Sequence, residues 1–173
     1  MEGIFIMNLP KDVMTALTRD PLFDDWKKQH HKSFMSHFFC SLSSDCVPKT
    51  LWEIGFYTPN TKKMVVFVEH ENGFEIKPED DVFTKETDTI EELSMDSVTF
   101  PFPEAVSRTK NEIPTVFSGE QLSDGFVVLQ KLQGKELWNF TFVTKSVKFA
   151  NIRIDASSGE VVSSQIVELV RKE

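Results

Sequence analysis

The sequence contains an internal repeat at an offset of 86 residues. The stretch 51–76 (LWEIGFYTPNTKKMVVFVEHENGFEI) aligns without a gap on 137–162 (LWNFTFVTKSVKFANIRIDASSGEVV). Trp52 falls on Trp138 in this alignment, and Val66 falls on Ile152. The offset is half of the 173-residue chain, so the sequence predicts two copies of one structural unit.

The chain is long enough for one domain or for two small ones. A unit of half this length buries only a modest core, so we expect the two units to pack on each other. We predict a first unit at 1–77 that includes a helical extension, a connection at 78–99 and a second unit at 100–173. Asp and Glu are frequent in the connection, and we interpret it as a solvated acidic linker rather than as a docking strip for a basic partner.

The periodicity of each unit predicts antiparallel strands. The run Leu51–Thr58 alternates strictly, which is typical of a sheet with one buried and one solvated face. Turn residues separate neighbouring runs at short distances, so we expect hairpins. The predicted strands are Ser33–Ser43, Leu51–Thr58, Met64–His70 and Phe74–Lys77 in the first unit, and Phe126–Leu132, Leu137–Thr144, Val147–Asp155 and Glu160–Val170 in the second.

Two rows of apolar side chains correspond between the units. Each row is predicted to form the core beneath a helix, and the alternative is that part of a row lies on the open sheet face. In that case the open faces would pack together or form a ligand pocket. The rows are Trp52, Ile54 and Phe56, and Trp138, Phe140 and Phe142.

Three helices are predicted from caps and prolines. Asn8 is the predicted N-cap of the first helix, with Pro10 in its first turn. Asp20 is followed by a proline and starts the second helix. A third helix spans 102–113, where the apolar residues have helical spacing, and Pro114 is predicted to end it.

The net charge of −8 excludes general affinity for nucleic acids or anionic lipid surfaces. No stretch reaches the roughly 20 apolar residues that span a bilayer. The apolar run Gly3–Met7 is too short for the hydrophobic region of a signal peptide and lacks a basic flank. We therefore predict a soluble cytoplasmic protein with no membrane partner.

No pattern in the sequence indicates a catalytic, cofactor or metal site. His30, His31 and His37 are close in sequence, but a zinc site needs ligands that converge, and no paired ligand spacing is present. Acidic pairs are numerous and none is distinguished, and no nucleophile-elbow or phosphate-binding loop occurs. Cys40 and Cys46 are too few for a disulfide framework, so we expect reduced thiols, and a local bridge between them is the alternative.

The second unit resembles the PepSY domain. The resemblance rests on the stretch Ile152–Val162 (IRIDASSGEVV), in which a strand runs into Asp155, a turn with Gly159 and a new strand. Trp138 lies where the preceding strand of the family carries a Trp. The first unit matches more weakly, through Trp52 and Gly73. The resemblance implies an α+β fold in which each unit is a helix packed on a four-stranded antiparallel sheet, PepSY or cystatin-like.

These five residues, Trp52, Gly73, Trp138, Asp155 and Gly159, are predicted to be structural rather than catalytic. Asp155 can accept hydrogen bonds from turn amides, and Gly159 supplies a positive φ. PepSY domains occur in peptidase propeptides, so the resemblance implies a peptidase as one class of partner.

The leading hypothesis is a non-enzymatic binding or regulatory module that acts through protein interaction, as a monomer or a homodimer. It predicts an exposed sheet edge or face. A second hypothesis is a small-molecule or lipid-binding protein with an apolar pocket between sheet and helix. A third is an enzyme of unrecognised type, with a buried polar cluster around His37, His70 or the carboxylates.

Overall fold

The computed structural model describes residues 7–82 and 89–169. Its helices are α1 (Pro10–Thr18), α2 (Pro21–Gln29) and α3 (Phe102–Val116), with a single 3₁₀ turn at Met95–Ser97. Its strands are β1 (Phe34–Leu42), β2 (Glu53–Thr58), β3 (Lys63–His70), β4 (Gly73–Ile76), β5 (Asp80–Asp81), β6 (Leu122–Leu132), β7 (Lys135–Thr144), β8 (Lys148–Asp155) and β9 (Val161–Glu168). The eight predicted strands lie within four residues of their predicted bounds, and only the two-residue β5 was not foreseen.

The strands form one antiparallel sheet in the order β4-β3-β2-β1-β6-β7-β8-β9. The short strand β5 pairs with the first two residues of β3. All neighbours on the main path are successive strands except β1 and β6. These two pair over 37–42 and 125–130, with Phe38 opposite Leu129 and Cys40 opposite Val127. The two halves therefore join edge to edge rather than through their open faces. The fold is α+β with a large antiparallel sheet, and the predicted domain boundaries remain predictions.

The helices cover one face of the sheet. Asp20 caps α2 as predicted, since its Oδ1 accepts a hydrogen bond from the amide of Leu22 at 2.9 Å. The prediction that Asn8 caps α1 was wrong, because the N-cap position is Leu9. Asn8 instead donates from its side chain to Glu69 at 3.0 Å, and its carbonyl accepts from the Trp52 indole at 2.9 Å.

The prediction that Pro114 ends α3 was also wrong, because the helix continues to Val116. Proline interrupts a helix by removing one N–H and crowding the preceding turn. Pro114 lies in the last turn, and the helix still closes with a hydrogen bond of 2.9 Å from the Phe117 amide to the Ile113 carbonyl. The disruption is therefore confined to the helix end.

Both predicted rows of apolar side chains lie between the sheet and the helices. Each member is at most 3% exposed, which confirms that they form the core. The ring of Phe102, at the start of α3, contacts both Trp52 and Trp138 with centroid separations of 5.1 and 5.4 Å. One aromatic residue of α3 thus joins the cores of the two halves.

The gapless alignment at an offset of 86 residues was wrong beyond β2 and β7. Val66 pairs with Gly55 on the open face, whereas Ile152, its aligned partner, pairs with Phe140 in the core. The β2–β3 connection has four residues (59–62) and the β7–β8 connection has three (145–147). A one-residue gap in this turn therefore restores the correspondence, because a shift of one residue moves a strand's side chains to the other face.

The connection between the halves is partly packed. Leu93 and Val98 are 3% and 7% exposed, and the Leu93 amide donates to the Met35 carbonyl at 2.9 Å. The interpretation of the connection as a solvated linker was therefore wrong for this part, which is anchored to β1. The rest of the acidic stretch includes 83–88, which lies outside the described residues.

Candidate functional site

A groove of about 900 Å³ lies on the sheet face opposite the helices. Residues of β1, β3, β6, β7, β8 and β9 line it, so both halves of the sheet contribute to it. The chain segment 89–91 forms part of its wall. The second functional hypothesis expected a pocket between sheet and helix, and this groove lies on the other side.

A β-bulge in β1 shapes one part of the groove. Met35 pairs with Phe56 and His37 with Gly55, which leaves Ser36 as the extra residue. The bulge turns His37 onto the open face, where its ring packs closely against Gly55. A Cβ at position 55 would lie 2.1 Å from the Cε1 atom of His37, so glycine is required there.

Ser36 and His37 form a hydrogen-bonded pair in the groove, with 2.8 Å between Ser36 Oγ and His37 Nδ1. Burial lowers the pKa of the imidazole, so the ring is neutral at neutral pH. The Ser36 hydroxyl donates to the Gly55 carbonyl at 3.2 Å, and Ser36 is only 5% exposed. This geometry stabilises the bulge and does not present an accessible nucleophile.

The charged groups that line the groove are three cations and one carboxylate. They are Lys131, Lys135, Arg153 and Glu91. Glu91 accepts a hydrogen bond from the amide of Gly134 at 3.0 Å, and Lys131 lies 3.7 Å from the buried Glu136. Among the described residues, Lys135 and Arg153 form no ion pair within 4 Å. The groove is therefore locally cationic on a chain of net charge −8.

Arg153 lies in a polar patch on the open face of β7 and β8. Its Nε atom is buried and has no hydrogen-bond partner, and the same holds for Oδ1 of Asn151. The Asn151 amide nitrogen contacts Asn139 Oδ1 at 2.6 Å and Thr141 Oγ1 at 3.0 Å. A buried guanidinium N–H without an acceptor is unfavourable. Because this atom is closed to solvent, a carboxylate or phosphate in the groove would bind the rest of the guanidinium, on a residue that is partly exposed.

The predicted structural residues lie outside the groove lining. Trp52 and Trp138 are buried beneath the helices, and their indoles donate to the carbonyls of Asn8 and Phe100, each at 2.9 Å. Gly73, the first residue of β4, has φ +148°.

Asp155 and Gly159 form the turn between β8 and β9. Gly159 has φ +79°, as predicted, and its amide donates to the Asp155 carbonyl at 2.9 Å. Burial acts to raise the pKa of Asp155, but hydrogen bonds from Ser157 and Ser158 outweigh it, so the pKa lies below its usual value. This is the turn-amide role predicted for Asp155.

The histidines considered as metal ligands do not converge. His30 stacks on Trp26 with a centroid separation of 4.5 Å, whereas His37 faces the groove. Within 7–82 and 89–169, no group of three or more His, Cys, Asp or Glu side chains is arranged to hold a metal ion. Cys40 and Cys46 are buried free thiols.

The cationic lining of the groove was not predicted from the sequence. Arg153 lies between two core isoleucines, and the alternation of β8 was enough to place it on the open face. The periodicity could not predict that β1 pairs with β6. This pairing places His37 opposite Gln130.

Comparisons with known proteins inform the fold alone. No protein-family model matches the chain, and no curated protein matches it significantly. A solved structure described as "a putative lipoprotein" from Clostridium difficile 630 is similar in fold, with a TM-score of 0.50 and 10% sequence identity. The match covers 84% of this chain and 90% of that one. None of the described helices is both long enough and apolar enough to cross a membrane.

Proposed function

We propose that this chain is a non-enzymatic binding module that captures an acidic, extended segment of a protein partner in the groove on the open sheet face. The observation that carries the proposal is the cationic lining of that groove on an acidic chain. An acidic segment would approach Lys135 and Arg153 favourably, whereas the rest of the surface would repel it.

The dimensions of the groove suit a short peptide. From Met64 on β3 to Arg153 on β8 the sheet advances by five strands. At about 4.8 Å per strand this is about 24 Å, which an extended chain of about seven residues spans. Gln130 and Gln133 also line the groove and can serve the backbone of such a peptide.

Within this proposal the two halves are PepSY-like units that arose by duplication. The support is that each core Trp donates from its indole to the segment that leads into a helix, Asn8 before α1 and Phe100 before α3. By the resemblance, peptidases are the first class of partner to test, with the chain acting as an inhibitor-like ligand.

The test is fluorescence anisotropy with three labelled eight-residue peptides, in which Ser alternates with Glu, Gln or Lys. We expect saturable binding of the Glu peptide alone, and binding that weakens as salt is added. Arg153→Gln should weaken it by at least about tenfold, because a charge-assisted hydrogen bond contributes about 1.5–3 kcal/mol.

The matched control is Arg108→Gln, which makes the same change of charge on α3, where Arg108 pairs with Glu112 at 3.5 Å. This variant should bind as the wild type does. Equal weakening by both variants, or no binding of the Glu peptide at millimolar concentration, would count against the groove as the site.

A further inference from the structure

We propose that β9 pairs with the β9 strand of a second copy, antiparallel, so that the sheet continues across a two-fold axis. This proposal does not depend on the groove proposal, although Val162 of β9 also lines the groove. It rests on a difference between the two ends of the sheet and on where the charges of the chain lie.

The first end of the sheet is protected. It consists of the four-residue β4 and the two-residue β5, Asp80–Asp81. Glu75 on β4 and Glu79 add further carboxylates, and Pro78 stands between the two strands. Short strands, charges and proline are the means by which natural proteins prevent edge-to-edge association.

The other end lacks these protections. β9 is eight residues long, and from Val161 to Glu168 it contains no Lys, Arg or Pro and only one carboxylate, Glu168. No described strand pairs with its outer side. Three of its four apolar side chains are exposed, with Val162 at 46%, Ile166 at 39% and Val167 at 45%. A long, apolar edge strand that lacks charges and proline is able to pair with a strand of another chain.

Charge indicates that a second copy fits this edge. Two chains of net charge −8 repel each other over most approaches. Contact through β4 and β5 would bring carboxylates together, whereas contact through β9 brings together seven successive uncharged residues, 161–167.

The strand is also compatible with itself. When Gln165 lies opposite Gln165 of the second copy, Ser164 lies opposite Ile166, Ser163 opposite Val167, and Glu168 opposite Val162. No carboxylate then faces a carboxylate in 162–168. This register also leaves the β-bulge near Val161 and Val162 at the end of the paired segment.

The first test is sedimentation equilibrium of the 19.9 kDa chain and its variants. We expect the wild type to form a dimer and Ile166→Lys to be monomeric with an unchanged circular dichroism spectrum. The matched control is Leu22→Lys on α2, since Leu22 is 38% exposed and Ile166 is 39% exposed. The control should remain dimeric.

A second measurement tests the register without depending on a charged substitution. In the proposed pairing, Gln165→Cys places two thiols directly opposite each other across the two-fold axis, close enough for a disulfide. Mild oxidation should give a covalent dimer. Ser163→Cys should not, because each thiol would face Val167 of the other copy.

A wild type that remains monomeric overturns the proposal and leaves the edge to a strand of another protein. A dimer that survives Ile166→Lys, or one that Ser163→Cys cross-links as readily as Gln165→Cys, also overturns it. Peptide binding to Ile166→Lys separates this outcome from a failure of the groove proposal, because Ile166 does not line the groove.

Discussion

The indole rings of Trp52 and Trp138 lie 6.3 Å apart, centroid to centroid, although 86 positions separate them in the chain. Phe102 packs against both and is 6% exposed. This three-ring cluster lies beneath the start of α3, so it links the helix to both halves of the sheet.

Removal of the Phe102 ring should therefore destabilise the whole protein. We expect Phe102→Ala to lower the free energy of unfolding by about 3–5 kcal/mol, the usual loss for a buried aromatic ring. Urea unfolding followed by tryptophan fluorescence measures it. Phe39→Ala, on the open face, is the control and should cost much less, because Phe39 is only partly buried.

Gly159 should be sensitive to any side chain for two reasons that a control can separate. Its φ is +79°, and a Cβ there would lie 2.6 Å from Cε2 of Phe100. Gly119 has φ +83° with no atom within 4 Å of the same Cβ position. We expect Gly119→Ala to lose about 1 kcal/mol from backbone strain and Gly159→Ala to lose more. Equal losses would show that Phe100 moves aside freely.

Thr109 provides a substitution that should stabilise the fold. Its side chain is fully buried on α3, and its hydroxyl has no hydrogen-bond partner. Thr109→Val keeps the shape and removes the unsatisfied group, so we expect a gain of about 1 kcal/mol in the free energy of unfolding. Thr15→Val on α1 is the control. The Thr15 hydroxyl is exposed and bonded to the Lys11 carbonyl at 3.0 Å, so no gain is expected there.

Both cysteines should be unreactive in the folded protein. Burial raises the pKa of the Cys40 thiol to about 12 and that of Cys46 to about 11, so neither forms a thiolate at pH 8. We expect no modification by Ellman's reagent at pH 8 and reaction of both thiols in 8 M urea. Rapid reaction of one thiol without denaturant would show that its site opens locally.

The protein should become less stable as the pH is lowered, because His37 is held neutral in the folded state. The folded state holds the imidazole neutral with a lowered pKa, so below about pH 6.5 the unfolded chain binds a proton that the folded chain does not. The free energy of unfolding should therefore fall from pH 7 towards pH 5. Urea titrations at pH 5, 6, 7 and 8 on the wild type and His37→Gln measure the difference. An identical slope in the two proteins would assign the dependence to other groups.

The sequence predicted the strands and the buried rows well, because a period of two and short turns are local properties. Ile54 and Phe140 could be placed in the core from alternation alone. Prediction from the sequence failed where a contact between distant parts of the chain determines the role of a residue. Asn8 is a good N-cap by type, but the buried indole of Trp52 needs an acceptor and the carboxylate of Glu69 needs a donor, and Asn8 serves both.

The candidate site could not be predicted for the same reason. His37 and Arg153 lie in strands that are three positions apart in the sheet, and only the β1–β6 pairing brings them to one groove. The bulge at Ser36 adds a second difficulty, since it reverses which face the residues of β1 present, and nothing in that apolar run marks its place.

The β1–β6 pairing also affects how the chain can fold during synthesis. Every other neighbour of the main sheet path arrives through a hairpin, but Leu129 reaches Phe38 only after about ninety further residues have been made. At typical translation rates β1 waits about 5–20 s with β2 as its sole partner. During that time the inner edge of β1, with its phenylalanines, is open to aggregation or to chaperones. The slow and vulnerable event in the biogenesis of this protein is therefore the pairing of β6 with β1.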